Sequence, residues 1–236
     1  MIKILLGLIL CLTFQGIFLE NSFALYDSNV RELLENRLNQ WPEIYLPNFK
    51  LSDTSKDLTY PKWFEGNWLV TSQDIINDLE EPVIYKVNFF KNDSDLIVGN
   101  RAKNSESIGK AIFGDSLIKV VNDPQSINNQ ITYLKDDFYI DSRITGRNQI
   151  KDDDIFFADE LVIQTAHKPG ASRINQVETI SKFQKCSEEI LEVNNSNKPA
   201  ICGVQYVASY GSKVGDTSVH AIKTNKYKLT FEFIES

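Results

Sequence analysis

With 236 residues, 42% of them hydrophobic, the chain is long enough to bury one sizeable core, as a single large domain or two small ones. A formal charge of −7 excludes the basic face that nucleic-acid binding needs, and docking on an anionic bilayer by charge alone. Eleven glycines and seven prolines are ordinary usage, so a soluble acidic globular protein is expected.

Residues 1–24 read as a secretory signal peptide. Lys3 supplies a minimal positive start, Ile4–Leu19 is an apolar run, and Ser22-Phe23-Ala24 puts small residues where a signal peptidase cuts. The run is short of the roughly 20 residues of a membrane span. An uncleaved anchor is the alternative. Cys11 follows Leu10 inside the apolar run, which is not the setting of a lipid-modified cysteine. Export would leave Cys186 and Cys202 as an even pair in an oxidising compartment. A bridge between them closes a loop of about 15 residues and adds roughly 3 kcal/mol on a chain-entropy account. Two unconnected thiols, one of them buried, are the other possibility.

Residues 25–59 form a helix and a connector. Val30, Leu33, Leu34, Leu38 and Trp41 recur at helical spacing, Asn29 and Glu32 suit a capping box, and Pro42 stops the helix. Such a helix either lies on its own domain or presents a docking face. Pro42, Pro47 and Ser52–Ser55 then punctuate an extended connector.

Residues 60–236 change period from 3.6 to 2. Tyr60-Pro-Lys-Trp-Phe-Glu-Gly-Asn-Trp68 leads into the first strand, with Trp63, Gly66 and Trp68 closing one end of the body. Val83–Phe89, Phe138–Thr145, Cys202–Ser209 and Lys226–Phe233 each alternate apolar and polar residues, the mark of half-buried strands. Further strands are expected at Leu96–Ala102, Leu117–Val121, Gln130–Leu134, Ile155–Ala166, Ile174–Phe183 and Ile190–Val193. One short helix interrupts them: Asn104 or Ser105 caps it, Ile108, Ala111 and Ile112 share a face, and Gly114 ends it. About ten antiparallel strands with no helical alternation imply an all-β antiparallel barrel or a strongly curved sandwich, and the lipocalin-like barrel is expected because closure leaves no edge exposed. A monomer is expected.

Chemistry is thinly marked. His167 and His220 are the only histidines and neither has a ligand-spaced neighbour, so no metal site is expected. Asp152-Asp153-Asp154 lacks the alternate spacing and glycine of a calcium loop and reads as a hairpin tip. Gly211–Ser218 lacks the Gly-Lys-Ser/Thr ending of a phosphate loop and reads as a mobile connection. No Gly-x-Ser-x-Gly elbow occurs, and neither mature cysteine has a reactive context. A non-catalytic protein without a cofactor is therefore expected. If chemistry is hosted, Glu178 near Arg173 or His167 beside an acid is where a perturbed group should be sought.

The arginines are the most suggestive polar set. Arg143 and Arg147 lie four apart on one strand and so share a face with Asp141 and Thr145. Arg173 shares a face with Asn175, and Arg101 ends an apolar strand. Guanidinium groups in a barrel mouth would hold a carboxylate or phosphate headgroup over an apolar interior. Outward salt bridges to Glu178, Asp141 or Glu160 are the alternative.

Several blocks together resemble one family. Tyr60–Trp68, Arg101-Ala-Lys-Asn104 running into Gly114-Asp115, Asn129-Gln-Ile-Thr132, Thr145-Gly-Arg147 and Asn175-Gln-Val-Glu-Thr179 are similar to motifs of an uncharacterised family of exported cyanobacterial and plastid proteins that carries only a domain-of-unknown-function label. The resemblance covers roughly Tyr60 to Phe183. It implies a photosynthetic source and a thylakoid-lumen or periplasmic home, and brings no activity or site residues. A more distant similarity is to lipocalins, resting on Gly66-x-Trp68 and the all-β plan. The last strand departs from lipocalins in carrying Lys226 and Lys228 rather than an arginine to pack on the first-strand tryptophan. Two functions follow as expectations. One is a non-catalytic lumenal or periplasmic barrel binding a small amphiphile (lipid, pigment or isoprenoid), with Arg101, Arg143, Arg147 and Arg173 at the headgroup. The other is a structural or assembly factor that touches a photosynthetic membrane complex.

Overall fold

A computed structural model describes residues 28–47, 56–77, 80–187, 200–211 and 219–235. The signal segment, the connector at 48–55, the expected strand at Ile190–Val193 and the Gly211–Ser218 loop beyond Gly211 lie outside the described residues. Helix α1 occupies residues 28–39. The strands are β1 (Thr59–Tyr60), β2 (Gly66–Asp74), β3 (Val83–Lys91), β4 (Ile97–Gly99), β5 (Leu117–Asp123), β6 (Ser126–Leu134), β7 (Phe138–Lys151), β8 (Ile155–Lys168), β9 (Ala171–Lys185), β10 (Ala200–Tyr210) and β11 (Lys223–Ile234). Helix α2, Arg101–Phe113, sits between β4 and β5.

All eleven strands form one antiparallel sheet in the order β1-β4-β3-β2-β11-β10-β9-β8-β7-β6-β5. The all-β expectation holds, but the barrel is not closed: the sheet curls into a half-barrel whose edge strands, β1 and β5, do not pair with each other. Two other devices stand where a closing ladder would run. Near the first turn of the body, β1 meets β7 through side chains of β7 and with no backbone ladder. Gln149 Nε2 and Lys151 Nζ both donate to Thr59 Oγ1 at 2.9 Å, and the Thr59 N–H donates to Gln149 Oε1 at 3.2 Å. Farther along, α2 packs against both β3 and β5. It satisfies the β3 edge as a neighbouring strand would. Asn104 accepts from the Asn88 N–H at 2.8 Å and donates to the Asn88 carbonyl at 3.0 Å, while Ser107 Oγ accepts from the Lys86 N–H at 3.0 Å.

The half-barrel is filled from within by one aromatic cluster. Phe64 is its centre: its ring lies 5.0 to 6.0 Å from those of Phe89, Phe156, Phe183 and Phe231, and Trp63 stacks on it at 4.5 Å. Trp68 is buried, packs edge-on against Phe233, and donates its indole N–H to the Phe64 carbonyl at 2.7 Å. The lead-in therefore returns its own phenyl ring into the body it introduces. Gly66 has φ +127°, and a Cβ there would lie 2.7 Å from the Phe233 ring, so the entrance to β2 needs glycine twice over. Gly203 lets the Phe183 ring lie flat on β10: a Cβ would come within 2.0 Å of it.

A second cluster lies on the convex face, under α1. Leu34 and Ile44 are fully buried there with Phe157, Ile180, Ala208 and Tyr210, and Val30, Leu38 and Trp41 pack around them. Helix α1 is therefore a cover for β8–β10, as its apolar spacing allows, with Leu33 on the wet side at 43% exposure. Residue 29 already lies inside the helix, so Asn29 is not its cap. The connector that follows is pinned to the approach of β11, the Leu46 N–H bonding the Val219 carbonyl and the Ala221 N–H the Ile44 carbonyl. Cys186 and Cys202 are joined in a disulfide with Cα atoms 5.0 Å apart, tying the end of β9 to the start of β10. Such a bridge suits an oxidising compartment.

The inserted helix begins at Arg101, ahead of both candidate caps, Asn104 and Ser105. Arg101 opens α2 instead of ending a strand, because β4 stops at Gly99. Asn104 is then free to serve the β3 edge instead of a helix end. Ile108 faces the interior and Gly109 is buried, whereas Ile112 is 59% exposed.

Candidate functional site

Above the Phe64 cluster the curled sheet leaves an interior cavity of about 200 Å³. Its base is Phe64, Phe156, Phe183 and Phe231; toward the other end its walls turn polar with Tyr85, Glu160, Thr179, Ser181 and Gln205. Strand alternation explains this set. On β8, Phe156, Ala158 and Glu160 point inward while Phe157 and Leu161 point out to α1; on β9, Thr179, Ser181 and Phe183 point inward while Ile180 points out. Gln205 Nε2 donates to Ser181 Oγ at 3.1 Å, and burial pushes the Tyr85 hydroxyl up to about 12 against a hydrogen bond with Ser72. An apolar floor with a few polar groups at one end is the makeup of a small-molecule pocket. An engineered apolar cavity of about 150 Å³ accepts benzene, roughly 25 Å³ per carbon, so this one has room for about eight carbons.

The four candidate arginines are not brought to one mouth. Arg147 is 5% exposed, and its Nε and Nη2 donate to Glu160 Oε1 at 2.8 and 2.6 Å. Its remaining donors reach Asn128 Oδ1 and the Lys56 carbonyl, so it stitches the lead-in to β6 and β7. Arg101 pairs with Asp57 at 3.0 Å on the same seam. Arg143 lines a separate concavity of about 400 Å³ with Asp141, Asn129 and Thr165. Arg173 is exposed near the β8–β9 turn, opposite Ala166.

Arg143 and Arg147 do not share a face, contrary to their spacing. The β7–β8 register slips between Ile144 and Gly146: Arg143 lies opposite Ile163, on the convex side with Leu161, whereas Arg147 lies opposite Glu160, on the cavity side. Thr145 is the extra residue of a β-bulge, and one extra residue exchanges the two faces of everything after it. The ladder to β6 also ends there, at Asn129 opposite Arg143, which leaves the later half of β7 free to meet the lead-in.

The most perturbed groups lie on the convex face, beneath α1. Glu178 and Asp159 are both fully buried. Arg37 of α1 grips Glu178 with Nε at 2.9 Å and Nη2 at 2.7 and 2.6 Å, and gives a further bond to the Tyr45 carbonyl at 2.7 Å. The Tyr210 hydroxyl donates to Glu178 in a short hydrogen bond. Burial, and then the Glu178 charge, hold the Asp159 carboxyl well above the usual range. Neither Asp159 oxygen has a hydrogen-bond partner among the described residues, and burial beside the Glu178 charge favours its neutral form. Burial and the Glu178 charge likewise raise the Tyr210 hydroxyl. Its charged and polar groups bond one another and the Tyr45 carbonyl, and the geometry is that of a latch for α1.

Sequence reading named Glu178 with the wrong arginine and missed Asp159, Arg37 and Tyr210. Asp159 had one signal: a carboxyl inside Phe156-Phe-Ala-Asp-Glu-Leu-Val162, a run apolar enough to be covered on both faces. His167 stacks on Tyr139 at 4.4 Å and bonds Ser172, and it forms no ion pair with an acid among the described residues. Among the described residues no group of three or more His, Cys, Asp or Glu is placed to hold a metal ion.

Residues 72–233 match the family described as domain of unknown function DUF6816, and the chain belongs to that family. No curated protein and no solved structure matches the chain.

Proposed function

We propose that this member of the DUF6816 family is a non-catalytic binding protein that holds a small amphiphile inside its curled sheet. The observation that carries the reading is the interior cavity, with phenyl rings at its base and Glu160, Thr179, Ser181 and Gln205 at its polar end. In this proposal the protein works in a lipocalin-like way, by wrapping an antiparallel sheet around a ligand, although the wrapping is completed by α2 and a side-chain seam. The cavity volume favours a short acyl chain or small isoprenoid over a pigment. A cyanobacterial or plastid source and a thylakoid-lumen or periplasmic home belong to the same proposal, and the Cys186–Cys202 bridge supports export.

Native mass spectrometry of the protein purified from its source tests this reading. A discrete non-covalent adduct of lipid or isoprenoid mass is expected; the bare mass in every charge state refutes it. The alternative, an assembly factor for a photosynthetic membrane complex, loses the apolar side of α1 as its docking element, since Leu34 and Leu38 pack on the sheet. It would have to use the exposed Ile75, Ile76 and Ile222 around the start of β11.

A further inference from the structure

A second concavity, of about 580 Å³, lies between α2 and the edge of β3. Its charged lining is Lys86 from β3, Lys103, Glu106 and Lys110 from α2, and Glu235 after β11. Glu106 is already held by Lys110 at 2.9 Å, and Lys86 and Lys103 have no carboxylate partner among the described residues. A cationic surplus thus sits in a groove.

Val87 and Asn104 line both this groove and the interior cavity, so they are what separates the two spaces. The wall they form is held lightly. Of the thirteen residues of α2 only Gly109 is buried, and the helix meets the β3 edge through the Asn104 and Ser107 hydrogen bonds. Polar contacts at an exposed edge exchange with water more readily than packed phenyl rings, so α2 is the part of the enclosure that opens at least cost.

We propose that this groove takes the anionic head of the ligand, a carboxylate or phosphate monoester, held between Lys86 and Lys103 while its chain passes beside Asn104 into the cavity. The inference rests on reading the cavity as a binding site, and it sharpens that reading to a single-chain anionic amphiphile. It also moves the headgroup away from the arginines: Arg147 and Arg101 are neutralised by Glu160 and Asp57, and Arg143 and Arg173 lie outside the cavity. Lysine ammonium groups in a half-open groove suit a charged head that keeps part of its water.

The test is calorimetric titration of the full chain, and of the Lys86→Gln/Lys103→Gln double variant, with octanoate, octyl phosphate, octanol and inorganic phosphate. We expect the two anionic octyl compounds to bind more tightly than octanol. The double variant should weaken them by about tenfold and leave octanol unchanged. Octanol and octanoate binding equally to both proteins would overturn the headgroup site and leave the cavity reading standing. Absence of binding by all three octyl compounds would sink the cavity reading, and this inference with it. Inorganic phosphate binding as tightly as octyl phosphate would mark a free-anion site and overturn the amphiphile.

Discussion

Replacing Arg37 by Met keeps most of the aliphatic stem of the side chain and removes the one cation that touches Glu178 among the described residues. The carboxylate is fully buried and would be left with the Tyr210 hydroxyl as donor, beside an Asp159 carboxyl that must stay neutral. Removing one partner of a buried ion pair costs about 3–5 kcal/mol. Urea unfolding of Arg37→Met should therefore show a loss of about 3–5 kcal/mol. Adding Glu178→Gln should recover part of that loss, because no charge is then left stranded. A loss below about 1 kcal/mol, or no recovery in the double variant, would refute the latch.

The Asp159 carboxyl has a folded pKa above its unfolded value of 3.8, so its contribution is complete below that value and is lost as pH rises toward the folded one. Asp159→Asn lacks this loss, and should melt higher than the parent by roughly 1–3 kcal/mol of stability at pH 7 while converging with it near pH 4; parallel melting curves across that window would contradict it. Asn104→Ala strands the Asn88 N–H, leaves the Asn88 carbonyl with the Asn100 N–H alone, and should cost about 1–3 kcal/mol. Hydrogen exchange should accelerate across α2 and residues 84–88 and stay slow in β8 and β9, and unchanged exchange at 84–88 would show that α2 is held by something else.

Much of the fold was legible in the sequence because period-2 alternation is a local signal. β3, β7, β10 and β11 show it openly, and β8 and β9 show it as longer apolar runs. Helix α1 was legible for the same reason at period 3.6, and the cysteine pair from its even count. What escaped depends on contacts between distant segments. Phe64, between the two tryptophans that drew attention, is the real plug, and only the curl of β8, β9 and β11 decides which ring reaches the centre. Glu160 stood among the expected salt-bridge partners and pairs with Arg147, but Asp57, the partner of Arg101, lies 44 positions away and no spacing rule joins the two. Closure escaped too. A strand count near ten suggests a cylinder, yet an edge satisfied by an Asn side chain looks the same in sequence as an edge with no neighbour.

The bulge at Thr145 amounts to a phase shift written into a single position. Upstream of it, β7 is one partner of an ordinary hairpin with β6; downstream, the same strand is the rim on which the lead-in closes, with its inward and outward residues exchanged. Pairing Thr145 into the ladder, with no residue left over, would leave every later side chain of β7 intact in identity and wrong in direction. Ile150 would swing toward the cavity and Arg147 toward α1, a cation set against the apolar floor of the helix. Deleting Thr145 would instead take out the extra residue and keep Gly146 opposite Leu161 and Arg147 opposite Glu160. For the same reason the two halves of β7 tolerate change independently, each answering to its own partner across that one residue.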